Sequence, residues 1–294
     1  MGRRVMDHVT GLVFFAAHLV AIGGAIVIGW SAAAAAWLFI TYAVRMFAIT
    51  GGYHRYFAHR TFKTSRAFQF ILALLAMSTA QQGVLWWAAH HRNHHKNSDQ
   101  AGDTHSPVTR GFWWAHVRWI LADRGKNTDY SRVGDLAKYP ELRWLDRHDM
   151  GIAIAWGVVL FLVGGWTALI YGHLLSIVLA WHVTFCINSL AHVAGSRRYA
   201  TTDDSRNNAA LAVLAFGEGW HNNHHHYQRS ARQGFFWWEL DITYYVLKLL
   251  ELLHVVRDVA GVPRHVRDAR PPRPPVDISY EKSIFARSSA VAHK

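Results

Sequence analysis

Four apolar runs, each about as long as a bilayer is thick, dominate this chain. Residues 11–30 (GLVFFAAHLVAIGGAIVIGW) hold one histidine and no charge, and residues 31–50 (SAAAAAWLFITYAVRMFAIT) follow at once with only Arg45 near their far end. A second pair, residues 151–170 and 174–191, carries no Asp, Glu, Lys or Arg. A helix rises 1.5 Å per residue, so about twenty residues cross the ~30 Å of hydrocarbon. The expectation is an all-α integral membrane fold with four transmembrane helices in two pairs. The start MGRRVMD has the charge of a signal peptide. The apolar run after it is too long for one, no small-residue cleavage pattern stands out, and a second span follows directly, so the first span is expected to be retained.

The links inside each pair lack Lys and Arg, so the long polar segments and nearly all 31 basic residues fall on one side. That is the positive-inside pattern, with both termini cytoplasmic. Residues 67–80 (AFQFILALLAMSTA) are apolar but too short to cross, and predict an interfacial helix. Residues 1–263 are expected to form one membrane domain. Residues 264–294, basic and proline-rich, are expected to form a flexible tail.

Composition narrows the chemistry. At 51% apolar and 17% charged the chain is not disordered, and it is poorer in charge than a usual soluble domain. The net charge of +12 suits an anionic membrane surface or an acidic partner, and given the spans we read no nucleic acid into it. Cys186 is the one cysteine, which excludes an internal disulfide, a zinc–cysteine cluster and an iron–sulfur centre. A metal here must be held by imidazole, and there are 21 histidines.

The histidines fall into boxes beside the spans. His54 and His59 bracket one; His91, His94 and His95 form an H-x-x-H-H pattern, and His221, His224 and His225 form another. Chance gives about 0.1 such patterns at this histidine content, and two occur. Spacing i, i+3, i+4 puts three imidazoles within about 100° on one helical face, and three neutral imidazoles converging on one point suit a transition metal. His54 and His59 lie about 140° apart round a regular helix, so the helix must end or distort if both are ligands. Asn188 and His192, four apart at the inner end of the last span, face the same way and are functional candidates. The lone His18, His173 and His182 read as polar anchors. His90, His105, His116 and His226 adjoin the boxes without fitting them.

These boxes, the NSLAH run at 188–192 and the flanks GFWWAHVRW at 111–119 and GEGW at 217–220 together resemble the membrane-bound fatty acid desaturases, in particular their acyl-CoA Δ9 branch, over residues 10–245. The resemblance implies a cytoplasmic helical cap carrying the boxes. It implies two irons bound by His54, His59, His91, His94, His95, His192, His221, His224 and His225, with Asn188 holding a water on one of them. It also implies a kinked acyl tunnel, with Gln81, Trp87 and Thr184 at the kink and Tyr42 and Met46 at the closed end. Where the family shows a basic pair after the GFW stretch, this chain has Asp123 and Arg124, which separates it from the family's coenzyme A contacts.

Breaking an unactivated methylene C–H bond needs a cofactor, and iron with O2 as co-substrate supplies what acid–base groups do not. Neutral ligands leave the metal charge uncompensated, so carboxylates are expected to orient the ring N–H groups; Asp99, Asp103, Asp203, Asp204 and Glu218 are the candidates, each weighed against a solvated loop charge. The chain carries no dinucleotide fingerprint, haem-attachment pattern or cysteine cluster, so electrons are expected from a separate ferredoxin, flavodoxin or cytochrome. The expected substrate is a saturated fatty acyl-CoA or other acyl lipid. Abundant Ala and Arg with little Lys suit a GC-rich bacterial genome, hence a cell membrane rather than endoplasmic reticulum. Two other readings compete: a membrane di-iron hydroxylase or monooxygenase with similar boxes, and a metal transporter without redox chemistry, which would hold ligands at mid-membrane.

Overall fold

The structure, a computed structural model, describes residues 8–123 and 127–269, with the side chains of His8, Val9 and Asp123 excepted. Arg124 and residues 270–294 of the expected tail lie outside the described residues; the first residues of that tail, Arg264–Arg267, form a helical turn, and the Tyr199 hydroxyl donates to the Arg267 carbonyl at 2.6 Å. The protein is mainly helical, and its one sheet among the described residues is two residues wide on each strand.

Helices α1 (His8–Ile28) and α2 (Ala32–Phe47) are separated by a three-residue link. Ser31 starts α2, its hydroxyl accepting the Ala34 N–H at 3.1 Å, which satisfies one of the donors a helix start leaves open. α2 runs on without a break as a π-helix, Ala48–Ala58, so that Ala32–Ala58 is one apolar rod. After it come α3 (Arg66–Met77) and α4 (Val84–Asn97). At twelve residues α3 is too short to cross a bilayer. The backbone turns at Ala80 and Gln82, both with positive φ, and α4 leaves in a new direction.

α5 (Pro140–Arg147) supplies the cap of α4: Asp146 Oδ1 accepts the N–H groups of Leu85 and Trp86, both at 2.9 Å. A Cβ at position 83 would lie 2.1 Å from that oxygen, so Gly83 is required by the approach. α6 (Asp149–Thr167) and α7 (Ser176–Asn188) belong to one apolar helical stretch of 44 residues. Straight, it would measure about 66 Å, twice a bilayer core. It kinks instead at Gly165, where φ is 63°, and doubles back so that His173 packs against Gly157. Tyr171 then donates to the Gly29 carbonyl at the end of α1 at 2.8 Å, while Trp181 stacks on Phe14 near its start, setting α7 antiparallel to α1.

The short helices α8 (Ala209–Leu214), α9 (His221–His226) and α10 (Ile242–Leu252) complete the polar end. Strand β1 (Lys63–Thr64) pairs antiparallel with β2 (Val256–Arg257), tying the segment after the first histidine box to the chain beyond α10. The main core packs Tyr53, Phe57, Leu72, Met77 and Leu85 between the π-helix, α3 and α4. Each such side chain contributes about 1.5–3 kcal/mol. On the outside of α1 and α6 the pattern inverts: Leu12, Leu19, Ile26, Val27, Leu162 and Val163 are exposed, an apolar belt that a soluble protein does not present.

Candidate metal centre

The π-helix resolves the five-residue spacing of the first box. Its wider turn makes i to i+5 bonds, and the His59 N–H donates to the His54 carbonyl at 3.1 Å. Both rings consequently face the same space, their centroids 4.8 Å apart. The other boxes sit on α4 and α9, and His192 lies on a 3-10 turn directly after α7.

The eight boxed histidines and His192 gather into two groups. His54, His59, His91, His95 and His224 form one; His94, His192, His221 and His225 form the other. Within each group the donor atoms lie within 4.8 Å of one another. The expectation that an H-x-x-H-H box converges on one point is therefore corrected. Positions i+3 and i+4 diverge by about 100° round a helix, and the structure uses the divergence: each box feeds both groups. His91 and His95 face the first and His94 the second; His221 and His225 face the second and His224 the first.

Carboxylates decide which ring nitrogen points inward. His54 Nδ1–H donates to Glu218 at 2.5 Å, His94 to Asp103 at 3.0 Å, His192 to Asp99 at 2.8 Å and His225 to Asp203 at 2.7 Å. A proton fixed on Nδ1 leaves the Nε2 lone pair facing the group. Asp204 differs from the other four candidates. Its side chain meets Arg197 at the surface, and only its backbone N–H contributes, donating to Asp99 at 2.8 Å.

Metal ions fit this donor set. Neighbouring Nε2 atoms are 2.9 Å apart for His59 and His91, 2.9 Å for His91 and His95, 2.9 Å for His95 and His224, 3.1 Å for His54 and His224, and 3.0 Å for His192 and His221. Two ligands at right angles on an ion with bonds of about 2.0–2.1 Å stand about 2.9 Å apart. His225 Nε2 is buried without a hydrogen-bond partner, an orphaned lone pair of the kind a metal satisfies. Burial first, and then the charge of neighbouring imidazoles, lowers the pKa of His59, His91, His95, His221 and His224 far below the ordinary histidine value. His225 falls to about 4, with Asp203 opposing the effect of burial. Near neutral pH these rings are uncharged, which is the ligating form. Burial also works to raise the carboxyls, but neighbouring imidazoles outweigh it through hydrogen bonds and charge, His105 most of all at Asp103: Asp99 is pulled down to about 2, and Asp103 and Asp203 lower still.

Two cavities reach the centre. The larger, with about 770 Å³ of empty space including its mouth, runs from Thr10, Phe14 and Trp181 inward; the smaller, about 420 Å³, continues past His54 and His221 to Ile49 and Met46. They share Trp87, His91, Thr184 and Asn188. Trp87 is stacked between Tyr53 and His91, with centroids 5.2 and 4.9 Å away, and Gln81 donates to the Thr184 hydroxyl at 3.1 Å. Tyr42, one turn before Met46, lines neither cavity; its hydroxyl donates to the Leu214 carbonyl at 2.8 Å.

Sequence reading passed over several residues that hold the centre in place. Arg55, fully buried, binds Asp241 at 2.9 Å and Glu218 at 3.3 Å, and Gln233 donates to the other Glu218 oxygen at 2.9 Å. The signal for Arg55 was its place beside His54, in a turn whose neighbours are all buried. His105 packs on His94 and lies 3.5 Å from Asp103. His173, read as an anchor, contacts the buried Arg45 guanidinium at 3.0 Å. His18, His182 and His116 form a hydrogen-bonded row that ends on Ser189.

Fold and site together define a class: a helical protein with a lipid-compatible surface that gathers imidazoles into paired groups beside an elongated apolar cavity. The chain belongs to the fatty acid desaturase family, whose model matches residues 6–256. It is 34% identical to an sn-2 palmitoyl-lipid 9-desaturase of Nostoc sp. (strain 36) over 86% of this chain and 90% of that protein. It is 37% identical to an acyl-CoA 5-desaturase of Anemone leveillei over 82% of this chain and 78% of the relative. With Delta-9 acyl-lipid desaturase 2 of Arabidopsis thaliana the identity is 36%, over 87% and 83%.

Proposed function

We propose that this protein is a membrane-bound Δ9 desaturase that introduces a cis double bond into a saturated fatty acyl chain. The observation that carries the reading is the apolar cavity that passes directly beside two imidazole groups, with Trp87, His91, Thr184 and Asn188 at its junction. In this reading the helical hairpin folded at Gly165 counts as two crossings and makes four with α1 and α2, and the one-sided distribution of Lys and Arg supports a cytoplasmic side for the histidines and both termini, in a bacterial cell membrane.

In this reading His54, His59, His91, His95 and His224 hold one iron, and His94, His192, His221 and His225 hold the second, with Asn188 supporting a water there. The bound irons supply the oxidising power for removing hydrogen from an unactivated methylene pair, which no side chain has. The protein's own part is positional. Glu218, Asp99, Asp103 and Asp203 fix the rings, Gln81, Trp87 and Thr184 shape the bend, Met46 limits the chain's depth with Tyr42 behind it, and the apolar walls exclude water. A misplacement of ~1 Å can cost about a hundredfold in rate, so this shaping selects the carbon pair. The net reaction is saturated acyl chain + O2 + two electrons + two protons → cis-monoene + two waters.

The carrier is coenzyme A or a membrane glycerolipid, the two kinds that the relatives' names contain. The test is mass spectrometry of fatty acids, with double bonds mapped, from cells that express the protein with a ferredoxin and its reductase, beside His94→Ala. Supplying iron-loaded protein with acyl-CoA or with glycerolipid in separate reactions identifies the carrier. A Δ9 monoene made only by the wild type is expected. A hydroxylated acyl chain, or no product from iron-loaded, reduced protein with either carrier, overturns the reading.

A further inference from the structure

A second opening reaches the centre from a different side. It is a polar cleft bounded by His59, His95, Arg92, Lys96, Gln228 and Arg229, and it shares no residue with either acyl cavity. His59 and His95 belong to the five-histidine group, so the cleft brings solvent-facing surface directly to two imidazoles of the centre. Arg92 is already neutralised: it binds Asp135 through two contacts at 2.7 and 3.1 Å and holds the Ala58 carbonyl at 2.9 Å. Lys96 and Arg229 are exposed, and neither has an ion pair among the described residues. The cleft therefore carries two uncompensated positive charges at its rim, beside His59 and His95.

We propose that this cleft docks an acidic one-electron carrier protein, with Lys96 and Arg229 steering it onto the His59–His95 edge of the centre. The proposal rests on the desaturase reading and names the partner of that site. The chain has no redox motif of its own, and each turnover consumes two electrons. Two reduced carriers each give up one electron: RCH2CH2R′ + O2 + 2 carrier(reduced) + 2 H+ → RCH=CHR′ + 2 H2O + 2 carrier(oxidised). The acyl chain occupies the apolar cavity throughout, so electrons need a separate approach, and the cleft provides one. Opposite charge across such a face accelerates encounter and fixes orientation.

The test uses iron-loaded protein in lipid nanodiscs, an acidic [2Fe–2S] ferredoxin as probe, and calorimetry at low ionic strength. Lys96→Glu and Arg229→Glu are each expected to weaken ferredoxin binding about tenfold or more, whereas Lys63→Glu, which lies outside the cleft lining and is paired with Asp258 at 2.9 Å, is expected to change it less. Salt at 0.5 M, a concentration that shortens the screening length to a few ångströms, is expected to erase the difference. Both cleft variants should keep wild-type iron content, and wild-type product yield in a single turnover in which dithionite reduces the irons without air, excess dithionite is removed and O2 is then admitted. Wild-type ferredoxin binding in both variants, or an equal loss in Lys63→Glu, overturns the proposal. So does a cleft that binds inorganic phosphate but not ferredoxin. Failure of the wild type to bind iron, or to make product with dithionite, strikes the desaturase reading instead.

Discussion

Asp103→Asn separates an orienting carboxylate from a loop charge. Asp103 is 1% exposed. Its Oδ2 accepts from His94 Nδ1 and from the Asp99 backbone N–H, each at 3.0 Å, and its Oδ1 accepts the His105 N–H at 3.1 Å. Three donors converge on two oxygens, and an amide offers only one. Whichever way asparagine turns, its NH2 faces an N–H with no acceptor, and the charge-assisted bond to His94 is weakened; each loss is worth about 1.5–3 kcal/mol. Because His94 serves the four-histidine group, that group alone should loosen, by about 10–100-fold in metal affinity. That corresponds to about 1.4–2.7 kcal/mol. The assay is iron per chain after dialysis against graded chelator. Wild type is expected to hold two ions, and Asp103→Asn to release one of them at about 10–100-fold lower chelator strength. Asp204→Asn, whose carboxylate faces Arg197 at the surface, should match wild type. If Asp103→Asn keeps both ions with wild-type resistance, the orienting role is refuted.

Three further outcomes follow from packing. Arg55→Met leaves Glu218 and Asp241 buried without their cation and is expected to cost about 3–5 kcal/mol, read as a lowered unfolding temperature in detergent. His173→Ala removes a partner of buried Arg45, and should lower stability by about 1–3 kcal/mol while iron content stays at two per chain, so that thermal melts and metal analysis give opposite answers. Met46→Trp fills the end of the smaller cavity and is expected to shift product toward shorter acyl chains, measured as the chain-length profile of the monoenes.

The parts that were legible in advance are those set by one segment alone. Apolar length gave the membrane-compatible helices, and histidine spacing gave the ligand candidates, including the need for a distorted helix between His54 and His59, which the π-helix meets. What was hidden depends on how segments meet. A single helix shows that His94 and His95 diverge; it does not show that a second group waits on the other side, supplied by His192 and α9. Asp99, Asp103 and Asp203 look like ordinary loop acids until His192 after α7, His94 on α4 and His225 on α9 reach them. Asp204 has the same sequence character and points away. Gly165 sits inside an unbroken apolar run, and only its positive φ marks the fold-back. Tyr42 and Met46 occupy the same helix one turn apart, yet only Met46 lines the cavity, while the Tyr42 hydroxyl donates to the Leu214 carbonyl.

Iron-edge X-ray absorption on the purified protein, with metal analysis on the same sample, tests the two-group centre most directly. The proposed function predicts two irons per chain and a first shell dominated by imidazole nitrogen at about 2.1 Å, with no sulfur. One iron per chain, zinc in its place, or a shell of carboxylate oxygen without imidazole would contradict it.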